Sequence, residues 1–342
     1  MPDISVVVPT RDRPEELRLC LNALEAQTLA PSRWEIVVVD DGSRDDAASA
    51  VVRTYGGRAA CRLVEIPPAG PAAARNAGAK AAHAGRVLFL LDDVVADPEL
   101  LAEHLAAAER RPGTVIVGFH EEADPMPSEA FRAWWSHQRY QNRQGAHDPV
   151  IACLHASGLS AERQDLLDAG GFDEDFTRAG WEDLDLGLRL ERRGTKIVFH
   201  ARARTSRHLP SDRLQALCRR ECDLGFSAAY FFDKWRDEPR VREFRFWEGD
   251  PAAVRSGPAW RKALGRALIA MAEGFRLGES LLRVLYARLV ASCRYEGLRE
   301  GAARAAATRK SGARNANENH AAAGLKAEAP RPRSETDPEP KA

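Results

Sequence analysis

The sequence carries no excess of charge of either sign, and this absence removes one broad class of partner. Its 50 lysines and arginines are balanced by 50 aspartates and glutamates, so the formal net charge is +0 at pH 7. A chain without a net positive field has no global attraction to nucleic acid, and any basic surface has to be local. We therefore expect no nucleic-acid partner and look for function in individual sites.

Long hydrophobic runs are missing as well. No uninterrupted apolar stretch in the sequence reaches the roughly 18 to 20 residues that a membrane-spanning helix needs. Residues 1–3 lead directly into a predicted strand at Ile4, which leaves no room for a signal peptide. We therefore expect a cytoplasmic protein, at most peripheral to the inner face of the membrane.

Paired cysteine motifs are the third absence. The six cysteines are Cys20, Cys61, Cys153, Cys218, Cys222 and Cys293, and they form no Cys-x-x-Cys pair. Cys218 and Cys222 share a helical face, but no second ligand pair follows at a spacing typical of zinc sites. We interpret the cysteines as reduced packing residues of a cytosolic protein.

What the sequence does have is a regular alternation of apolar strands and helices in its first third. Strands are predicted at residues 4–9, 35–39, 62–66 and 87–91. Helices are predicted to open at Pro14 and to cover residues 45–55 and 73–84. This β-α-β-α-β order predicts an α/β fold with a mainly parallel, doubly wound central sheet flanked by helices. Residues 1–118 form the expected nucleotide-binding half.

The regular alternation of predicted strands and helices ends near Thr114. The next predicted elements are strands at 115–119, 150–154 and 195–200, and helices at 162–168 and 182–193. Residues 119–210 form the expected acceptor-binding and catalytic half of the same domain. After Pro210 the pattern is almost wholly helical to residue 306, and the tail 307–342 has the composition of a disordered segment.

The helical extension 211–306 is rich in arginine and leucine from about Trp260 to Arg304. A basic amphipathic helix can lie on an anionic membrane surface. It can equally pack on a partner subunit, giving a homo-oligomer, or on its own domain. The sequence leaves these alternatives open.

Acidic residues follow two of the predicted strands. Asp40 and Asp41 follow Val39, and Asp92 and Asp93 follow Leu91. The carboxyl ends of parallel strands form the ligand crevice of an open α/β sheet. Carboxylates there suit a hard cation such as Mg²⁺ or Mn²⁺, which usually shares its shell with substrate phosphates. The alternative is that each pair only caps a turn or a helix.

These acids belong to an ordered set of motifs. In chain order the motifs are Val6–Arg13, Val38–Ser43, Gly70–Gly78, Leu91–Asp93, Gly170–Phe176 and Trp181–Arg189. Together they resemble the family 2 inverting glycosyltransferases, and the match runs from Ile4 to about Pro210. The resemblance implies a GT-A fold with a Rossmann-like sheet, and a nucleotide-sugar donor.

The resemblance also implies which residues meet the nucleotide. Pro9, Thr10 and Arg11 lie beside it, and Asp41 accepts a hydrogen bond from the base. A carboxylate that accepts from the imide N–H of uracil discriminates against bases without that donor, so a UDP-sugar is expected. Asp40 is then left to cap the following helix.

Arg75 and Asn76, at the start of a predicted helix, suit contacts to the donor diphosphate or ribose through charge and helix polarity. The alternative is an exposed helix with an unrelated arginine.

The metal motif of the family is Asp-x-Asp-like, and it falls here on Asp92 and Asp93, with Leu91 where Asp-Asp-Asp members have a third acid. We predict Asp93 as the direct ligand of Mn²⁺ or Mg²⁺ and Asp92 at the ribose or behind the metal. His208 is the predicted third ligand, and His200 is the second choice.

The acids of Trp181–Arg189 carry the predicted chemistry. Inverting transfer needs a base that removes the acceptor proton as the acceptor oxygen attacks the anomeric carbon. By the family pattern Asp183 is that base, and Glu182 contacts the acceptor or a donor hydroxyl. Trp181 either stacks on the sugar or belongs to the core. Asp185 and Arg189 can form a simple helix-surface ion pair.

The sequence thus predicts a metal-dependent inverting glycosyltransferase that moves a sugar to a hydroxyl of a glycan or lipid-linked acceptor, in polysaccharide or glycoconjugate assembly. One alternative is a non-catalytic nucleotide-sugar-binding protein, which the departure at Leu91 supports. A nucleotidyltransferase is less favoured, because Pro9-Thr10-Arg11-Asp12 lacks the glycine-rich loop expected after its first strand.

Overall fold

The computed structural model describes residues 1–122, 155, 157–207, 213–242, 284–285, 288–305 and 307. The strands are β1 Ile4–Thr10, β2 Trp34–Asp40, β3 Ala60–Glu65, β4 Arg86–Phe89, β5 Val94–Ala96, β6 Thr114–Glu122, β7 Leu159–Glu162 and β8 Lys196–Arg207. The α-helices are α1 Pro14–Glu25, α2 Ala47–Thr54, α3 Pro71–Ala81, α4 Leu100–Arg110, α5 Arg163–Asp168, α6 Glu182–Arg192, α7 Arg213–Lys234 and α8 Pro239–Arg242. A short 3₁₀ helix covers Pro31–Arg33, and residues 288–305 are helical.

The described strands form one sheet of eight in the order β3-β2-β1-β4-β7-β6-β8-β5. The first four strands in this order are parallel to one another, as the β-α alternation predicts. The other half is mixed, because β7 runs antiparallel to both β4 and β6, and β5 runs antiparallel to β8. The doubly wound α/β fold is confirmed, with a more mixed sheet than expected.

Hydrophobic side chains cover both faces of the sheet. Successive residues of a strand point to opposite faces, so one apolar strand contributes side chains to the hydrophobic core on each face of the sheet. Val7, Val37, Val39 and Phe89 lie in the core that also holds Phe172 and Leu186. Ile4, Val6, Val8, Ile36 and Val38 lie in the core that also holds Leu17 and Leu21 of α1. This two-sided burial explains why β1 and β2 read as continuous apolar runs.

Three parallel strands end side by side at the edge where the acids lie. Thr10, the last residue of β1, is paired with Asp40, the last residue of β2. The Asp41 N–H donates to the Thr10 carbonyl at 3.0 Å, and the Leu90 N–H donates to the Val7 carbonyl at 3.0 Å. The loops that follow β1, β2 and β4 therefore start from one place.

Helix α7 packs against the hydrophobic core of its own chain. Phe231 and Trp235 are buried in the core beneath the sheet. A Cβ on Gly225 would lie 1.9 Å from the Arg294 carbonyl oxygen, so α7 and the helical residues 288–301 touch backbone to backbone. Helix α7 and residues 288–301 thus pack on their own domain, and the membrane or homo-oligomer contact of the extension stays a prediction.

Several predicted features lie outside the described residues. They are the strand at 150–154, the helical pattern between 243 and 283, and the tail after residue 307. Residues 1–301 form one compact unit, and in the second unit, 302–342, residues 302–305 are helical. Among the helices that the structure describes, none combines the length and the apolar composition needed to cross a bilayer.

Candidate active site

Asp92 lies just after β4, at the sheet edge where the parallel strands β1 and β2 also end and where the sequence predicts a ligand crevice, and it is hydrogen-bonded to the end of β1 and the loop after it. Its Oδ2 accepts a hydrogen bond from Thr10 Oγ1 at 2.9 Å, and its Oδ1 accepts from Arg13 Nη1 at 2.7 Å. Thr10 is buried with it, while the Arg11 side chain is half exposed. Thr10 and Asp92 therefore come together as predicted, whereas their contact to a nucleotide stays a prediction.

Asp93 is held by two arginines. Its Oδ2 accepts from Arg13 Nη2 at 3.1 Å, and from both Nε and Nη2 of Arg207 at 2.9 and 2.7 Å. Its other oxygen, Oδ1, is buried and has no hydrogen-bond partner. A buried carboxylate oxygen without a donor is costly unless a ligand satisfies it.

The two neighbouring acids differ in pKa. Burial raises the pKa of Asp92 to about 7, despite the nearby Arg13. Burial also acts to raise the pKa of Asp93, but the charges of Arg207 and Arg13 outweigh it and lower the pKa below the usual value. Asp93 is therefore the acid that stays ionised in this crevice, and an ionised oxygen is what a hard cation requires.

The residues present fit a divalent cation bound mainly by its substrate. The orphaned Asp93 Oδ1 offers one carboxylate ligand, and Mg²⁺ is commonly held by one or two carboxylates together with phosphates and water. Among the described residues there is no group of three or more histidine, cysteine, aspartate or glutamate side chains around one point. His208, the predicted third ligand, lies outside the described residues, and His200 binds Glu103 instead, at 2.7 Å.

Asp41 is buried beside the loop that leads into α3. Its carboxylate accepts from the N–H groups of Ala69 at 2.7 Å and Gly70 at 3.0 Å, and Arg11 Nη1 lies 3.8 Å away. Asp40 accepts from the N–H of Ser43 at 2.9 Å, so it caps a turn ahead of α2 rather than the helix itself. The reading of a base by Asp41 stays a prediction.

Arg75 forms a buried ion pair with Glu182. Arg75 Nη1 lies 2.8 Å from Glu182 Oε1, and the two side chains are only 3% and 4% exposed. The second oxygen of Glu182 accepts from the Gly180 N–H at 2.5 Å. The sequence assigned these two residues separately, Arg75 to the diphosphate and Glu182 to the sugar or acceptor. The structure instead pairs them across the domain, from α3 to α6.

Asn76 is fully engaged with the glycine-rich turn before α6. Its Oδ1 accepts from the Phe172 N–H at 2.7 Å, and its Nδ2 donates to the Phe172 carbonyl at 2.8 Å and to Glu174 Oε1 at 2.9 Å. Both N–H donors of the amide are used by protein. The geometry thus favours a bracing role for Asn76 over the predicted donor contact.

Trp181 adopts a left-handed backbone conformation, with φ of 73°, directly before α6. This conformation costs an L-residue about 1–2 kcal/mol. The indole Nε1 donates to the Leu224 carbonyl of α7 at 3.0 Å, and the ring packs against Phe231 and Phe232. Of the two predicted roles, the structure favours the core role.

Asp183 lies in the first turn of α6, and it is the least buried of the acids there. Glu182 and Asp185 on either side are 3% and 0% exposed, whereas Asp183 is only partly buried. Its Oδ1 accepts from the N–H of Leu184 at 2.9 Å. A partly exposed carboxylate in the first turn of a helix can meet a substrate hydroxyl.

Asp185 and Arg189 do not form a helix-surface pair. Asp185 is fully buried, and Arg189 donates to the carbonyls of Ala169 at 2.6 Å and Gly171 at 2.7 Å while it pairs with Asp185 at 2.9 Å. The surface alternative is therefore wrong, because the arginine reaches inward to the chain reversal before α6. The pair helps to hold the Gly170–Phe176 motif in place.

Sequence reasoning missed the arginines of this crevice. Arg13 ends the Val6–Arg13 motif and Arg207 is next to the predicted ligand His208, but nothing in the sequence links either arginine to Asp93. It also missed Lys234 of α7, whose Nζ lies 2.7 Å from Asp185 and also contacts Asp173. A charge-balance count at the acidic crevice is the one signal that could have indicated the arginines.

Comparison with known proteins shows which family the first half of the chain resembles. Residues 5–168 match the sequence model of "Glycosyl transferase family 2". Validoxylamine A glucosyltransferase from Streptomyces hygroscopicus subsp. limoneus is 36% identical over 226 residues, which cover 58% of this chain and 50% of that protein. The O-antigen biosynthesis protein RfbC of Myxococcus xanthus is 28% identical over 234 residues, covering 62% of this chain and 18% of that one. The chain spans about half the length of this glucosyltransferase and a smaller share of the longer RfbC.

Solved structures share the fold. The mannosyltransferase PcManGT from Pyrobaculum calidifontis, solved with GDP-Man and Mn²⁺, superposes with a TM-score of 0.56 at 19% identity, over 86% of this chain and 87% of that one. A fragment of S. aureus TarS solved with UDP gives 0.50 at 20% identity, over 88% and 92%. These likenesses confirm the GT-A fold that the motifs implied. Residues 5–168 of this chain therefore form a domain of the glycosyltransferase family 2 type.

Proposed function

We propose that this protein is a metal-dependent inverting glycosyltransferase that moves one sugar from a nucleoside diphosphate, expected to be UDP, to a hydroxyl acceptor. The observation that carries the proposal is Asp93 Oδ1, a buried carboxylate oxygen without a partner. It lies at the carboxyl end of the parallel strands, where α/β sheets bind their ligands.

Asp183 is the proposed base. Its carboxylate takes the proton from the acceptor hydroxyl while that oxygen attacks the anomeric carbon from the face opposite the diphosphate. Glu182, buried on Arg75, is then a positioning residue that fixes the first turn of α6. This reassigns Glu182 from the acceptor contact that the family resemblance implies.

Asp93 would hold the divalent cation, Mn²⁺ or Mg²⁺, together with the donor diphosphate. When bound there, the cation offsets the negative charge that develops on the departing nucleoside diphosphate. Thr10 and Arg13 keep the neighbouring Asp92 oriented, and Arg11 and Asp41 line the side where the base is expected.

The relatives suggest which substrates to test. The similar Streptomyces protein is named as a glucosyltransferase, and the structural neighbours were solved with GDP-Man and with UDP. We therefore include glucose and mannose donors on both bases. The acceptor is proposed to be a glycan or lipid-linked glycoconjugate, with residues 1–118 serving the donor and 119–210 the acceptor, at the cytoplasmic side of a membrane.

Calorimetric titration of UDP, GDP and dTDP, with and without Mn²⁺, tests the donor site. We expect one nucleotide to bind in a metal-dependent way, and Asp93→Asn to abolish the metal dependence. Asp97→Asn, an exposed acid on the next loop, is the matched control and should bind as the wild type. If no nucleotide binds to correctly folded protein, the glycosyltransferase proposal is wrong.

Turnover of the matching sugar nucleotides tests catalysis. Asp183→Asn is expected to keep the nucleotide affinity and to lose at least about a hundredfold in kcat, the usual range for a lost general base. Binding without turnover of any donor, across a broad set of acceptors, would favour the non-catalytic nucleotide-sugar-binding protein instead.

A further inference from the structure

We propose that Arg207, together with Arg13, competes with the divalent cation for Asp93, so that the metal enters this site with the nucleotide diphosphate and not before it. The proposal rests on the metal site of the proposed function. It concerns the order in which charges arrive at that site, which neither the family match nor the sequence motifs address.

The charge balance around Asp93 disfavours an incoming cation. Arg13 and Arg207 bond to Asp92 and Asp93 at 2.7–3.1 Å, so two guanidinium charges face at most two carboxylate charges. Leu91 stands where related motifs often have a further acid, and Glu16, 3.7 Å from Arg13, adds a carboxylate on the far side of that arginine. A cation that approaches Asp93 therefore meets a carboxylate whose charge the two arginines already balance.

The geometry at Asp93 also sets the arginines against a metal ion. All three guanidinium bonds converge on Oδ2, whereas Oδ1 has no partner. A metal ion on Oδ1 would share one carboxylate with two guanidinium groups. Like charges that close together repel strongly in a site where the carboxylate is only 1% exposed.

A nucleoside diphosphate would change both the charge around Asp93 and the partners that the two arginines can bind. Its phosphates bring negative charge into the crevice, and guanidinium groups bind phosphate oxygens through paired hydrogen bonds. Arg207 and Arg13 keep 16% and 33% of their side chains exposed, so both can reach a ligand. Once the diphosphate is present, the arginines have another anionic partner and the metal has both Asp93 and phosphate oxygens to bind.

This mechanism makes an unusual prediction about Arg207. If the arginine only supported the fold of a metal site, removing it would weaken metal binding. Because it competes with the metal, its removal is expected to strengthen metal binding in the absence of nucleotide. The same change is expected to weaken the binding of nucleotide in the absence of metal.

The test is Mn²⁺ binding to the full chain, followed by calorimetry and by the EPR signal of free Mn²⁺, with and without UDP. For the wild type we expect weak Mn²⁺ binding alone and at least roughly tenfold tighter binding with UDP, within the range of known couplings between sites. For Arg207→Gln we expect roughly tenfold tighter Mn²⁺ binding alone and roughly tenfold weaker metal-free UDP binding. Arg207→Lys keeps the charge and is expected to behave like the wild type toward Mn²⁺.

Arg204→Gln is the matched control, because Arg204 lies on the same strand and pairs with Asp97 and Glu121 away from Asp93. Arg204→Gln should leave unchanged the affinity for Mn²⁺ alone, for Mn²⁺ with UDP and for UDP without metal. Circular dichroism checks that each variant is folded. An unchanged or weaker Mn²⁺ affinity of Arg207→Gln overturns the proposal, and so does strong Mn²⁺ binding by the wild type alone. Should the wild type bind no nucleotide, the proposed function fails, while the Mn²⁺ affinities of the two glutamine variants still decide the competition.

Discussion

Replacing Arg75 by methionine tests whether this arginine braces the domain or binds the donor. Arg75 and Glu182 are both almost fully buried, and their ion pair at 2.8 Å joins α3 to α6. Removing one partner of a buried pair typically costs about 3–5 kcal/mol, because the other charge is left without compensation. Glu182 keeps its bond from the Gly180 N–H, so we expect a loss of about 3 kcal/mol, at the lower end of this range.

The measurement is urea unfolding followed by circular dichroism, with Lys80→Met as the control. Lys80 is an exposed residue of the same helix, so its replacement removes the same charge without breaking a buried pair. The double variant Arg75→Met with Glu182→Gln is expected to be more stable than the single Arg75→Met variant, since no buried charge is then left alone.

Two results would refute this reasoning. One is a cost of less than about 1 kcal/mol for Arg75→Met, which is the size of an exposed pair. The other is simple additivity of the two single changes. UDP titration of the folded variant separates the roles: unchanged affinity supports the brace, whereas lost affinity with intact stability supports the diphosphate contact that the family resemblance implies.

Three further changes probe the rest of the site. Trp181→Phe removes the indole bond to α7 and is expected to lower kcat several-fold at unchanged UDP affinity; a changed affinity with unchanged kcat would contradict the core role. Gly225→Ala places a Cβ 1.9 Å from the Arg294 carbonyl oxygen and should lower the free energy of unfolding by about 1–3 kcal/mol, whereas Gly85→Ala, which meets no atom within 4 Å, should cost much less. Burial raises the pKa of Asp92 to about 7 in the folded protein, so the folded state holds this proton more tightly than the unfolded state does. The free energy of unfolding of the metal-free protein should therefore fall as the pH rises from about 4 to 7, because the stability that this proton contributes is lost over that range. Urea unfolding at several pH values should show this decline for the wild type and not for Asp92→Asn.

The fold could largely be predicted from the sequence because its signals are local. Strands buried on both faces appear as unbroken apolar runs, and Pro14 and Pro71 stand at the first positions of α1 and α3. The strand β5 was missed because three residues are too few to show the alternation of apolar and polar side chains that marks a strand. Strand β7, four residues long, was not predicted either, and its antiparallel direction depends on partners far away in the sequence.

The site could be predicted as a set of residues but not as a set of contacts. The acids at the strand ends were found because parallel strands bring their carboxyl ends to one edge. The partners of those acids come from distant segments: Arg207 reaches Asp93 from 114 residues away, and Glu182 reaches Arg75 from 107. Because these partners could not be known from the sequence, several side chains were predicted to bind a ligand although they form hydrogen bonds or ion pairs within the protein.

This misassignment has a common physical cause. A charged side chain at a strand end or helix start must be satisfied, and sequence motifs do not say whether protein or ligand satisfies it. In this domain Asn76 and Glu182 are satisfied by protein, and so are Arg75 at Nη1 and Asp93 at one of its two oxygens. Two buried polar atoms of these residues, Arg75 Nε and Asp93 Oδ1, have no hydrogen-bond partner in the part of the chain that the structure describes. Of the two, the Asp93 oxygen is the more informative for the proposed metal, because a carboxylate oxygen is a ligand that a hard cation prefers.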